Sequence, residues 1–225
     1  MSRILAIETA SDACSVALGD NQNIWVRDAE EPRQHADLVL GFVREVLSDA
    51  GLRVHDLDAL AFGCGPGSFT GVRIATAVVQ GLALGCELPV VPVSTLAALA
   101  HGAHRQFGGQ HFAVALDARM SEVYFGAYTV AAVGNAKAFS DECVRPMAAI
   151  ELAGSVASYT AVGSGWAEYL DQVPASASAI IAQTYAELLP HARDVLALAS
   201  VAFARGEVVS AQAAQPVYLR NRVTR

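Results

Sequence analysis

The stretch Leu57-Asp58-Ala59-Leu60-Ala61-Phe62-Gly63-Cys64-Gly65-Pro66-Gly67-Ser68-Phe69-Thr70-Gly71-Val72-Arg73 decides how the rest of the chain is read. Its first seven residues are almost continuously apolar, as in a strand buried on both faces in the middle of a sheet. The loop Gly63–Gly67 follows, then Ser68, whose hydroxyl suits a helix N-cap, and an apolar helical pattern that runs to Gly85. Strand, glycine loop and helix N-terminus together can hold an anion, because free N–H groups and the helix dipole point outward. No lysine follows a spaced glycine pair, so this is not a Walker A loop, and Thr70 stands where G-x-G-x-x-G needs its last glycine. Glycine also serves a close backbone approach, and that structural reading carries more weight than phosphate binding.

Upstream, Arg3–Thr9, Ala13–Gly19 and Gln22–Asp28 read as three short strands, with Asp12 and Gly19-Asp20-Asn21 at the turns. Gln34 to Ala50 then carries Leu38, Val39, Phe42, Val43, Val46 and Leu47 on one helical stripe, stopped by Gly51. Downstream come a strand at Val90–Val93 and a helix from Ser94 to Phe107, with Gly108-Gly109 as a hinge. The second half offers strands at His111–Asp117, Glu122–Val130 and Tyr159–Val162, a Gly163-Ser164-Gly165 turn, a helix over Asp194–Arg205, and a strand or coil near Pro216–Leu219. Val173–Ile181 has no clear pattern. Three strands, helix, strand, helix, strand, helix is the order of half an actin-like (ribonuclease-H-like) α/β unit. The expectation is two related subdomains, residues 1–107 and a reduced copy at 108–225, with the C-terminal helix packing back on the first.

Of 225 residues, 53% are hydrophobic and only 16% charged, which excludes disorder and leaves apolar surface over for a partner. The net charge of −7 argues against unaided nucleic-acid binding, since phosphate neutralisation supplies most of that affinity. Arg220, Arg222 and Arg225 form the one cationic cluster, read first as a solvated tail and second as a contact to a nucleic acid or an acidic partner. Cys14, Cys64, Cys86 and Cys143 are scattered, without a C-x-x-C pair, as expected in a reducing compartment. The N-terminus enters a strand pattern at once and no unbroken apolar run reaches 18 residues. A cytoplasmic protein with no membrane span is the expectation.

Hydrolytic chemistry finds little footing. G-x-S-x-G and H-E-x-x-H are absent. His101 and His104, three apart on one helix, could face a metal but lack a third ligand nearby. Asp117 and Arg119 end a strand as a functional acid and its partner or, more readily, as a structural ion pair. The helix Ser68–Gly85 carries Ala75, Ala77, Gly81 and Ala83 beside Val72, Val78, Val79 and Leu82, a wider apolar set than one buried stripe needs. With Gln34–Ala50 it makes half of a four-helix bundle whose other half a second polypeptide supplies; the alternative is that both helices only cover the sheet.

ILAIETAS at the N-terminus, GPGSFTGVRIA at 65–75, PVSTLAALA at 92–100 and LDARMSEVYFGAY at 116–128 closely resemble the bacterial TsaB (YeaZ) family, as do VGSGW at 162–166 and PVYLRN at 216–221. The resemblance covers nearly the whole chain and is weakest at 130–160. It implies an actin-like ATPase fold related to TsaD, and a share in threonylcarbamoylation of the adenosine beside the anticodon. It further implies a non-catalytic subunit that pairs with TsaD through the two N-terminal helices and with the ATPase TsaE. The candidate interface is then Leu38, Phe42 and Val46 on the first helix and Phe69, Val72, Arg73, Ala75, Val78, Val79 and Leu82 on the second. Glu8, Thr9, Gly65, Gly67, Ser68 and Asp117 would be a vestigial phosphate site or a structural loop.

Matching VSTLAAL to the H-x-x-x-H metal pair of TsaD places Thr95 and Leu99 where two imidazoles would stand. A hydroxyl and an isobutyl group do not replace nitrogen ligands. No catalytic residue, metal or cofactor of its own is therefore expected. ATP, metal and threonylcarbamoyl-adenylate fall to the partners, tRNA is met only within the complex, and the isolated chain pairs with itself as a homodimer. The competing reading is a small-molecule kinase or ATPase of the same superfold, with Glu8 and Asp117 as acidic ligands and Glu8-Thr9-Ala10-Ser11 as a first phosphate loop.

Overall fold

The computed structural model describes residues 2–220 except positions 21 and 32. Asn21 of the first turn, Asn221 of the last motif, and Arg222 and Arg225 of the cationic cluster lie outside the described residues. The chain opens with β1 (Ile4–Glu8), β2 (Cys14–Gly19) and β3 (Ile24–Ala29), then α1 (His35–Ala50), β4 (Ala59–Gly63), α2 (Phe69–Cys86), β5 (Val90–Val93) and α3 (Thr95–Phe107). It continues with β6 (His111–Asp117), β7 (Glu122–Ala132), β8 (Asn135–Ala138), β9 (Cys143–Pro146) and β10 (Tyr159–Val162). Two four-residue helices, α4 (Gly165–Glu168) and α5 (Ala175–Ser178), lead to β11 (Ile181–Tyr185) and α6 (Ala192–Ala204).

The first sheet runs β3-β2-β1-β4-β5, with β1 antiparallel to β2 and parallel to β4. The second runs β8-β7-β6-β10-β11, with β6 antiparallel to β7 and parallel to β10, and β9 added against β7. The same order occurs twice, as the actin-like class requires. The second copy is reduced in its helices, where α4 and α5 stand in place of long connections.

Side-chain size explains how the layers stack. Along β1, Leu5 and Ile7 meet the α1 and α2 side, where Val39, Val43, Val46, Ala75 and Val79 fill the core. Ile4 and Ala6 meet the other side with Ala59 and Ala61 of β4, against Val195, Leu196 and Ala199 of α6. Alanine on that face lets α6 lie close to the sheet. The last helix of each unit crosses to the other: α3 packs on β6, β7 and β8, and α6 on β1, β2, β4 and β5. Where they touch, Asp194 is buried and accepts from His101 Nδ1 at 2.8 Å and from Arg105 at 3.0 and 2.9 Å. His101 Nε2 accepts from the Gly134 N–H at 3.0 Å, so both ring nitrogens are used.

Several expectations on the second half need correction. β8, β9 and β11 were not foreseen, and Val173–Ile181 holds α5 and the start of β11. The last helix begins at Ala192 because the His191 ring accepts from the Arg193 N–H, an unusual cap. Residues 216–219 carry no regular structure, the coil of the two alternatives expected there. α2 is, by length and composition alone, long and apolar enough to cross a bilayer, which the lack of an unbroken apolar run had not suggested; a third of that window is buried in the chain.

Candidate functional site

Ligands of open α/β sheets collect at the carboxyl ends of parallel strands. Here those ends carry Glu8 on β1 and Asp117 on β6, equivalent positions in the two sheets. Glu8 is fully buried: its Oε1 accepts from the Ala10 N–H at 2.7 Å and its Oε2 from the Thr95 hydroxyl at 3.2 Å. Burial pushes its carboxyl up to about 7 against the pull of those hydrogen bonds. A methyl built at Gly63 would stand 1.9 Å from Glu8 Oε2, so β4 closes directly over the carboxylate.

The glycine loop packs in the same way. A Cβ at Gly67 would lie 2.5 Å from the Ala10 carbonyl oxygen, and one at Gly71 would lie 1.9 Å from that of Thr9. The Ser68 N–H donates to Ala10 O at 2.8 Å, the Thr9 hydroxyl donates to Gly71 O at 2.7 Å, and Ser68 Oγ caps α2 by accepting from Gly71 N–H. Two donors that an anion would need are thus spent within the chain. Gly65, at φ +99°, faces the Val217 carbonyl, and Val217 N–H donates to Cys64 O at 2.7 Å. Burial, then the charges of Glu142 and Glu8, push the Cys64 thiol up to about 12, which leaves it protonated at neutral pH and a poor nucleophile.

At the second strand end Asp117 accepts from Arg119 N–H and Tyr169 hydroxyl, both at 2.7 Å, and pairs with the Arg119 guanidinium at 3.0 Å. Arg220 reaches this turn from the C-terminal segment and donates to Glu122 and to Arg119 O. Residues 217–220 thereby run from the glycine loop to the β6–β7 turn.

The candidate histidines do not converge: His101 is buried on Asp194, and half-buried His104 turns to Gly109 O at 2.6 Å. Among the described residues no group of three or more His, Cys, Asp or Glu could hold a metal. Thr95 and Leu99 are buried, the first on Glu8 and the second in the core under α3.

The candidate docking residues divide. Val46, Val72, Ala75 and Val79 are at most 2% exposed, pressed into the core between helix and sheet, and are corrected to core residues. The amphipathic stripe marked them because burial inward and burial by a partner look alike in sequence. Leu38, Phe42, Val78 and Leu82 are half-buried, and Phe69 and Arg73 are exposed. Much of the outer surface of α2 belongs to small residues. Arg73, Ala77, Gly81 and Gly85 follow each other at four-residue spacing on one exposed row of α2. Nothing lies within 4 Å of a Cβ built at Gly81, Gly85 or Gly41 of α1. Leu84 at 62%, Leu40 at 55% and Phe69 at 51% exposure flank this ground.

Comparison with known proteins agrees with this architecture. The family profile "TsaD: tRNA N6-adenosine threonylcarbamoyltransferase" matches residues 29–223. The tRNA threonylcarbamoyladenosine biosynthesis protein TsaB of Escherichia coli K12 is 41% identical over 98% of this chain and 96% of its own length. The protein of that name from Haemophilus influenzae is 36% identical over 98% and 94%. The solved structure of YeaZ from Pseudomonas aeruginosa superposes with a TM-score of 0.91 at 44% identity, covering 97% of this chain and all of that one. Likeness of this extent in sequence and backbone places the chain in the TsaB (YeaZ) family of tRNA threonylcarbamoyladenosine biosynthesis proteins.

Proposed function

We propose that this chain serves threonylcarbamoyladenosine formation in the cytoplasm as a non-catalytic docking subunit. It pairs with the transferase TsaD through the outer faces of α1 and α2, and TsaE joins the pair. The observation that carries the reading is the glycine row. Gly81 and Gly85 sit inside a helix, where each costs about 0.5–1 kcal/mol relative to alanine. Neither relieves a clash within the chain. Their absent side chains favour close approach of a backbone from outside, and exposed Leu40 and Leu84 supply apolar contact beside them.

The strand ends support the same division of labour. Glu8 is sealed, the glycine-loop donors are partly spent on the chain's own backbone, and Thr95 and Leu99 offer no imidazole. Metal, ATP and threonylcarbamoyl-adenylate are then handled by the partners, and tRNA is met only in the complex. Without a partner the same face closes on a second copy as a homodimer.

Reconstitution tests this. Modification of tRNA by TsaD, TsaE and a threonylcarbamoyl-adenylate source should require this chain and should fail with Gly81→Leu, which leaves the monomer folded but blocks close approach. Full modification without the chain, or transfer of a carbamoyl or phosphoryl group by the chain alone, would sink the proposal.

A further inference from the structure

Arg73 is the only charged residue on the 18-residue helix α2, and it stands at the head of the exposed row. Its guanidinium carbon lies 3.3 Å from the centroid of the Phe69 ring, and its Nε donates to the Tyr218 hydroxyl at 2.8 Å. The Tyr218 ring centroid is 5.4 Å away on another side, and the two rings are themselves 5.9 Å apart. Among the described residues Arg73 makes no ion pair, although the chain carries a net charge of −7. The side chain is therefore held in place by a ring face and a hydroxyl, while its two terminal nitrogens donate to no group among the described residues.

We propose that Arg73 is the polar anchor of the docking face and takes a carboxylate side chain of the protein partner in a bidentate pair; this rests on the docking reading above. A planar guanidinium presents two parallel N–H groups at the spacing of carboxylate oxygens, a match that lysine does not offer. Holding it on Phe69 removes in advance much of the side-chain entropy that pairing would otherwise cost. Arginine set beside exposed aromatic and aliphatic side chains is also the usual make-up of an interface hot spot. Tail anchoring alone accounts for the Nε bond to Tyr218 but leaves the free fork without a use. The glycine row gives the partner's backbone its approach, and Arg73 fixes where along the row it stops.

Calorimetric titration of this chain with the transferase of the same organism tests the anchor, with Arg73→Gln, Arg73→Lys and Gly81→Leu beside wild type, each checked for folding by circular dichroism. Arg73→Gln should weaken binding about tenfold to a hundredfold. The gap should narrow as salt rises from about 50 to about 500 mM. Arg73→Lys should recover only part of the loss. If Arg73→Gln binds within about twofold of wild type while Gly81→Leu does not bind, the anchor is wrong and docking on α2 stands. If both bind like wild type, the docking reading itself fails. A loss insensitive to salt would mean that only packing on Phe69 was removed and would overturn the carboxylate. Heat on titrating ATP into the isolated chain, abolished by Arg73→Gln, would assign the fork to a phosphate instead.

Discussion

Replacing Glu8 by glutamine isolates the most heavily desolvated acid in the chain. Its carboxyl is raised from an ordinary 4.5 to about 7, chiefly by burial. The folded state therefore holds the proton more tightly than the unfolded state. The stabilisation is complete below about pH 4.5 and lost as pH rises through about 7. That gap corresponds to about 3 kcal/mol, of which about 2 to 3 kcal/mol falls between about pH 5 and about pH 8. Glutamine keeps an oxygen for the Ala10 N–H and turns its amide to the Thr95 hydroxyl, which can accept, so the geometry survives. For a chain of this size each kcal/mol moves Tm by about 2–4 °C. The melting temperature of Glu8→Gln relative to wild type should therefore climb by about 5–10 °C between about pH 5 and about pH 8. Groups that the substitution leaves unchanged cancel in the difference. Scanning calorimetry at several pH values reads it directly. Parallel curves for the two proteins would refute the claim that burial governs this acid.

Asp194→Asn should cost about 3 kcal/mol in urea unfolding, because a buried carboxylate bonded to His101 and Arg105 is lost. Burial opposes that charge, but the His101 and Arg105 hydrogen bonds outweigh it and hold the acid below its ordinary value, so its contribution is present above about pH 4 and lost below; a variant within about 1 kcal/mol of wild type would count against the cluster. Gly71→Ala must displace backbone 1.9 Å from the new methyl and should destabilise by at least about 2 kcal/mol. Gly81→Ala, with open space around it, should raise stability by about 0.5–1 kcal/mol; similar thermal shifts from both would contradict the distinction between the two glycines.

The first half of the fold was legible because its central strands are buried on both faces and its helices have long apolar stripes. The outer strands of the second sheet were not. Ile181–Tyr185 is exposed or half-buried throughout, Asn135–Ala138 is nearly all solvent-facing, and Cys143–Pro146 ends in a proline, so none carries a period-two apolar signal. The C-terminal helix was expected on the first sheet, but the crossing of α3 to the second was hidden for another reason. A stripe tells which side of a helix is buried, not which sheet buries it. His101 and Asp194 are 93 residues apart and read separately as a stray imidazole and a helix-start acid. At the candidate docking face the stripe also took in Val46, Val72, Ala75 and Val79, which the fold buries on the inner side of α1 and α2.

The glycines show why side and partner must be argued together. Gly63, Gly67 and Gly71 each meet an oxygen of the β1 end within 2.5 Å of where a methyl would sit, so their smallness is used up inside the chain. Gly41, Gly81 and Gly85 meet nothing. The first group ties the amino end of α2 to β1 and to the turn after it by backbone contact and the Ser68 cap, which leaves that end little freedom to rock. Gly81 and Gly85 of the second group then lie on a helix already held in place. Since ordering a loose surface subtracts from affinity, a helix held in this way keeps more of what close contact provides. Arg73 stands where the two groups meet, two residues beyond Gly71 and at the head of the row through Gly81, so a partner docked as proposed would be registered against the end of α2 that its own chain already holds.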